Sequence, residues 1–272
     1  MKNKTQKTKK INSPALESLS APISIKVNNL SKKLKTTQAL MNVSLNFEEA
    51  KMHGVIGPEG SGKTTLMRII AGLLKPNEGE VEYFQNNAKI LFEQIRAKIA
   101  YMPQTPSLYS DLSIEEHLIF FKTLYQLSST DYETRKKELL TITQLEPFVN
   151  RPAGQLSGGM YKKLGLICAL LRAPEIMLLD EPTTGVDPIS RREFWDLLYR
   201  ILDRKILIIV TTAYMDEAER CSMVHLMSAG KTIAEGEPKK LLEDEQVPSF
   251  DQLFVKYGNM KNGNMKNGNP QK

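Results

Sequence analysis

Apolar residues along this chain follow two rhythms. Stretches at 23–27, 43–47 and 81–84 alternate apolar with polar positions, the period of a half-exposed strand, and predict an antiparallel layer. Runs that are apolar throughout, at 55–56, 176–179 and 206–210, predict strands buried on both faces, as in a parallel sheet. Helical periodicity follows these runs near 63–73, 189–203 and 215–221. Strand then helix, repeated, is the pattern of a doubly wound α/β sheet. Residues 113–145 break the alternation with two long helical patterns and no strand, which predicts a helical insertion between core strands.

The two ends carry no such rhythm. Residues 1–22 are rich in Lys, Thr, Asn and Ser and are interrupted by Pro14 and Pro22, which predicts a disordered basic leader. Residues 258–272 repeat Gly, Asn, Met and Lys as a low-complexity tail, and 241–257 read as a C-terminal extension of the folded part. Composition changes this picture only once charge is placed on it. The chain of 272 residues has a net charge of +6, but five lysines fall in residues 1–10 and four in 256–272, with no acid in either segment. The span between is therefore net acidic, by about three charges, so no basic groove for nucleic acid is expected on the fold.

The longest apolar runs, six residues at 166–171 and five at 206–210, are far shorter than the roughly 20 residues a bilayer-spanning helix needs. The basic start leads into Asn, Ser, Pro and Glu, not an apolar segment, so no secretory signal is evident and a cytoplasmic chain is expected. Cys168 and Cys221 lie outside any C-x-x-C pair and are expected to be reduced and structural. His53, His117 and His225 are too scattered along the chain to suggest a metal cluster.

Candidate chemistry begins with GPEGSGKTT at 57–65, a full match to G-x4-G-K-[ST] set between an apolar strand and a helical run. Gly57, Pro58, Glu59, Gly60, Ser61, Gly62, Lys63, Thr64 and Thr65 form the expected phosphate cradle. Glycines let backbone N–H groups turn inward, and the helix that follows adds its positive end. Lys63 can reach β- and γ-phosphates, and the Thr64 hydroxyl can ligate Mg²⁺. Downstream, IMLLDEP at 176–182 delivers Asp180 and Glu181 at the C-terminal end of a strand, where α/β sheets bind ligands. Asp180 suits a magnesium contact, and Glu181 can accept a proton from an attacking water.

A third segment, LSGGM at 156–160, has no task in a phosphate-loop enzyme that works alone. With it, the chain resembles the ATP-binding cassette (ABC) family over about residues 23–240, through GPEGSGKTT, YMPQ ending at Gln104, LSGGM, LLDEP and GVDP containing Asp187. The resemblance implies an α/β fold of the P-loop NTPase (RecA-like) type: a parallel-sheet core, an antiparallel β subdomain and an inserted helical subdomain at about 105–156. It implies ATP and Mg²⁺ as ligands and head-to-tail pairing with a second cassette. Ser157, Gly158 and Gly159 would then offer donors to the γ-phosphate of the partner's ATP. Gln104 resembles the Q-loop glutamine, which contacts Mg²⁺ or water, and Asp187 the D-loop aspartate that communicates across the pair. The insertion is where transporter cassettes touch their membrane subunits. Leu112, Phe120 and Phe121 there are expected to be mostly core, with Tyr109 as a coupling contact.

Two departures qualify the resemblance. Leu34 stands where the family places an aromatic residue near the adenine, and leucine offers no π-face. Ala213 stands where the family has a histidine that holds the γ-phosphate, which predicts an impaired site on this chain's own phosphate-loop side. The sequence is similar to ATPase subunits of multidrug or antibiotic exporters that drive a separate ABC-2-type permease from the inner face of the membrane, and to the first half of fused two-cassette exporter ATPases. The rival expectation is a regulatory cassette that binds nucleotide without hydrolysing it. A ribosome- or DNA-acting ATPase is disfavoured by a single cassette, the lack of a long coiled-coil insertion and the acidic body.

Overall fold

The computed structural model describes residues 22–202 and 205–257. Residues 1–21 of the expected leader at 1–22, and the expected tail at 258–272, lie outside the described residues. Two sheets organise the rest. The first is antiparallel and four-stranded in the order β2-β1-β4-β5, formed by β1 (Ile23–Leu34), β2 (Thr37–Phe47), β4 (Glu78–Gln85) and β5 (Ala88–Ile90). The second has six strands in the order β10-β9-β3-β8-β7-β6. Its members are β3 (Met52–Ile56), β6 (Ile99–Met102), β7 (Ile176–Asp180), β8 (Leu207–Thr212), β9 (Met223–Ser228) and β10 (Lys231–Gly236). Neighbours from β9 through β6 run parallel, and β10 folds back antiparallel on β9 at the edge.

Local sequence explains these assignments. Every residue of β3, β7 and β8 is buried, as runs apolar on both faces require. In β1 the core-facing Ile23, Ile25 and Val27 alternate with more exposed positions, and Lys26 and Glu82 meet on the outer face in register. Helix α1 (Lys63–Ile70) follows β3, and α5 (Gly158–Leu170) precedes β7. Helix α6 (Pro188–Leu202) buries Phe194, Trp195, Leu197, Leu198 and Ile201, the spacing of one helical face. Between β6 and α5 lie α3 (Ile114–Leu124) and α4 (Ser129–Thr143), the insertion that breaks the strand rhythm. Helix α3 starts on a reciprocal Ser113–Glu116 cap, and Ser128 caps α4. The short α2 (Phe92–Ile95) follows β5, and α7 (Pro238–Asp244) follows β10.

Several expectations need correction. The helical segment expected near 215–221 is present as a six-residue 3-10 helix, Met215–Arg220, rather than an α-helix, with two residues between it and β9 at Met223. Phe120 is not core: it is 39% exposed, because Leu118 and His117 occupy the buried side of α3. The scattered histidines are partly gathered. Parallel pairing of β3 with β9 brings His53 Nδ1 within 3.1 Å of His225 Nε2, beneath the edge of Phe47. Both cysteines are free and buried, and burial pushes the Cys221 thiol up to about 12.

Candidate active site

The phosphate loop is strung between fixed points. Gly57 N–H donates to Thr212 O at the end of β8 (3.2 Å), and the turn after β9 bonds the loop through Gly230 N–H to Ser61 O (3.0 Å). A β-carbon on Gly57 would lie 2.2 Å from Met227 O, so β9 admits only glycine there. Gly62 adopts φ 105°, and a β-carbon on it would lie 2.5 Å from Ala39 O. Helix α1 starts on this glycine with no side-chain cap and no acid in its first turn, leaving its N–H groups and positive end directed at the loop. Pro58, Glu59 and Gly60 are exposed, while Ser61, Lys63 and Thr65 are buried.

Lys63 gathers the site. Its Nζ donates to Gly57 O (2.7 Å) and Pro58 O (3.0 Å) and lies 3.1 Å from Glu181 Oε1. Glu181 Oε2 in turn accepts from Gln104 Nε2 (3.0 Å) and Thr184 Oγ1 (3.3 Å). Thr64 Oγ1 donates to Asp180 Oδ1 (3.1 Å), which also accepts from Thr211 Oγ1 (2.7 Å). The other oxygen, Asp180 Oδ2, accepts from Tyr101 OH (3.1 Å), and burial followed by that carboxylate pushes the phenol up to about 12. The ends of β3, β7 and β8 and the segment after β6 thus bring Lys63, Thr64, Asp180, Glu181 and Gln104 into one bonded cluster. Glu181 itself has φ 47°, the left-handed region, which costs a residue with a side chain about 1–2 kcal/mol.

The other expected residues stand apart. Ser157 caps α5 by accepting from Met160 N–H (3.3 Å), and Ser157 and Gly158 are exposed. Gly159 is buried against α6, where a β-carbon would lie 2.6 Å from Ser190 Oγ. Among the described residues no hydrogen bond or ion pair joins Ser157, Gly158 or Gly159 to Lys63, Thr64, Asp180 or Glu181. A cavity of about 410 Å³ lies between Gln104, Gly158 and Gly185. Leu34 sits at the end of β1 opposite Thr37, 41% exposed. Asp187 caps α6 through Oδ1, accepting from Ile189 and Ser190 N–H. Ala213 follows β8 directly, with Tyr214 N–H turned back onto Thr212 Oγ1 (3.0 Å).

Some members escape the sequence altogether. Thr211 accepts from Glu181 N–H through Oγ1 (2.9 Å) while donating to Asp180, yet nothing in ILIIVTT singles it out. Lys162, one turn into α5, donates through Nζ to Gln104 O and so ties LSGGM's helix to the segment carrying Gln104. Burial lowers the affinity of Lys162 for its proton, against the opposing pull of Glu181 and Asp180.

The residues present fit a magnesium nucleotide. The Ser61 hydroxyl is buried with no partner in the loop, and buried polar atoms of that kind are rare without a ligand to meet them. Among the described residues no group of three His, Cys, Asp or Glu could hold a metal alone. Thr64 and Asp180, already joined by a hydrogen bond, could supply oxygen contacts of the kind Mg²⁺ takes from protein when phosphates complete its shell.

The family model described as ABC transporter matches residues 40–184, more than half of the chain. The chain belongs to the ABC transporter family. Over 218 residues the cassette is 42% identical to "Probable multidrug ABC transporter ATP-binding protein YbhF" of Escherichia coli, covering 80% of this chain and 38% of that one. It is 33% identical over 226 residues to the Nod factor export ATP-binding protein I of Burkholderia lata, covering 83% and 74% respectively. Among solved structures, an ATP binding subunit of an ABC transporter superposes with a TM-score of 0.73 at 30% identity, covering 86% of the cassette and 99% of that chain. A dimeric structure of the bacterial ABC transporter cassette MJ0796 gives 0.68 at 29% identity, covering 78% and 98%. These likenesses place the cassette's two sheets in the expected ATP-binding-cassette fold.

Proposed function

We propose that this cassette is the ATP-binding and ATP-hydrolysing subunit of an export transporter, pairing head to tail with a second cassette and driving a separate ABC-2-type membrane permease from the cytoplasmic face. The observation that carries the reading is the single bonded cluster of Lys63, Thr64, Asp180, Glu181 and Gln104 at the strand ends. Lys63 exchanges its Glu181 contact for the β- and γ-phosphates, and the Ser61 hydroxyl gains an acceptor. Thr64 and Asp180 would hold Mg²⁺, which when bound would supply neutralisation of charge on the phosphate oxygens. Gln104 orients the water or the metal, and Glu181, released from Lys63, takes the water's proton. Leu34 packs beside the adenine.

The exposed cap of α5 supports a second role. With Ser157 Oγ capping Met160 N–H, the backbone N–H groups at the exposed start of α5, at Ser157, Gly158 and Gly159, are offered to a γ-phosphate held by another cassette. On the insertion, Tyr109, Ile119, Phe120 and Leu124 are all exposed, an apolar patch suited to a permease loop. No described helix is long and apolar enough to cross a membrane. Export is supported by the second relative, named for Nod factor export, and a drug-like cargo by the first, named as a probable multidrug ABC transporter subunit.

Ala213 favours the second reading, a regulatory cassette of low activity, because a methyl group cannot hold a γ-phosphate. Paired with a cassette that has the histidine, the assembly is asymmetric, with this chain's own site the weaker; paired with a second copy of itself, it has two such sites. ATP turnover decides between them, measured on the chain alone, on Ala213→His and on Glu181→Gln. The proposal expects slow turnover, a rise of about tenfold or more with histidine, and a loss of about a hundredfold or more with glutamine. Turnover unaffected by Glu181→Gln supports the regulatory reading. Full activity alone, with no gain from histidine, removes the asymmetry.

A further inference from the structure

Glu217 is a fully buried carboxylate that no step above uses. It lies on the 3-10 turn Met215–Arg220, four residues after Ala213. Its Oε1 accepts from Trp195 Nε1–H on α6 (2.9 Å) and from Thr183 Oγ1–H (2.9 Å). The same threonine hydroxyl lies 3.2 Å from Oε2, and Arg191 Nε lies 3.7 Å from Oε1. One carboxylate therefore joins the turn after β8, helix α6 and the loop that leaves β7. Burial of such a group is costly unless hydrogen bonds and a countercharge satisfy it, and here both are present.

The loop it grips contains Glu181 with its left-handed backbone, φ 47°. Strain of that kind persists only where the surroundings over-determine it. On one side Glu181 N–H is held by Thr211 O (3.1 Å) and Thr211 Oγ1 (2.9 Å). On the other, Thr184 N–H closes a turn onto Glu181 O (3.3 Å), and Thr183, in the middle of that turn, is tethered only by its hydroxyl to Glu217 among the side-chain bonds described.

We propose that Glu217, acting through Thr183, is a positioning residue for Glu181: it holds the 181–184 turn in the conformation that aims the Glu181 carboxylate at the site. The inference rests on the hydrolytic reading of Glu181 given above. The bond from Trp195 does something different, anchoring α6 to the same carboxylate. Two hydrogen bonds to one group thus separate positioning from plain structural support.

The test uses the full chain carrying Thr183→Val, Thr183→Ser or Trp195→Phe. Thr183→Val and Trp195→Phe each remove one donor from Glu217, so both should lower the unfolding midpoint. Only Thr183→Val should lower kcat, by roughly ten- to a hundredfold, as misplacement of a reacting group does, with KM nearly unchanged. Thr183→Ser keeps the hydroxyl and should retain kcat. Amide exchange across residues 180–186 without nucleotide should quicken in Thr183→Val and not in Trp195→Phe. Equal effects of Val and Phe on kcat and on exchange overturn the proposal, as does a serine variant as slow as valine. Absence of turnover in the unaltered chain defeats the hydrolytic reading instead, and the exchange comparison then still decides whether Glu217 clamps the turn.

Discussion

Removing the Lys63 ammonium alone should destabilise the protein more than removing it together with the Glu181 carboxylate. The two charges lie 3.1 Å apart on side chains only 4% and 8% exposed. At that separation their attraction is about 5 kcal/mol at an effective dielectric of about 20. Desolvating two ions costs several kcal/mol each, so the intact pair contributes little net stability, while a stranded partner is expensive. Lys63→Met leaves Glu181 with two neutral donors, Gln104 and Thr184, at 3.0 and 3.3 Å. The expected loss is about 3 kcal/mol, the lower end of the range for a broken buried pair, because those donors remain. Glu181→Gln leaves Lys63 bonded to the carbonyls of Gly57 and Pro58 and should cost less, about 1–2 kcal/mol. The double variant carries neither charge and should return to within about 1 kcal/mol of the unaltered chain. At about 2–4 °C per kcal/mol, Lys63→Met should unfold roughly 6–12 °C early. Urea and thermal unfolding of the four proteins without nucleotide provide the cycle. If the double variant is no more stable than Lys63→Met, the pair does not hold Glu181 and the argument fails.

Two further outcomes concern the frame around the site. Burial first, and His225 second, pull the buried imidazole of His53 down to about 4. The unfolded chain, with a histidine near 6.5, takes up that proton first, so the contribution is full above pH 6.5 and is lost as pH falls towards 4, by up to about 3 kcal/mol. The groups facing His53 are the Glu48 carbonyl and His225, with Glu235 on the far side of His225. His53→Leu should flatten the urea-midpoint profile across that window, and an unchanged slope would exclude the assignment. Gly72 has φ 71°, and a β-carbon there would lie 2.1 Å from Phe92 Cζ. Gly72→Ala should therefore cost about 1–3 kcal/mol in thermal unfolding, and an unshifted midpoint would contradict that packing.

The fold's central strands were legible because burial on both faces leaves a compositional trace, as in IMLLD and LIIVTT. β9 was not, because His225 interrupts its apolar run and is tolerated only through contacts with His53 and Glu235 from other strands. The edge strands β5 and β10 escaped too, since exposed edges need no apolar pattern. At the site, the glycines and charged residues announce themselves through spacing. Thr211, Tyr101 and Lys162 do not, because each acts through bonds to residues far along the chain: Thr211 to Asp180 and Glu181, Tyr101 to Asp180, and Lys162 to Gln104, at separations of 31, 30, 79 and 58 positions. Such a bond is a property of strand order, which no local window contains. The segment at Met215–Arg220 was legible as helical from its periodic residues, and it folds as a 3-10 helix ending two residues short of β9.

The chain contains one tryptophan, and it is Trp195, sealed from solvent with its indole N–H on Glu217. Its fluorescence therefore arises from a single environment, where α6 meets the turn after β8 at Glu217. Because Glu217 also binds Thr183 in the loop that carries Glu181, an emission shift when nucleotide is added would report a change at that carboxylate without any attached label. The molecule carries its own optical gauge.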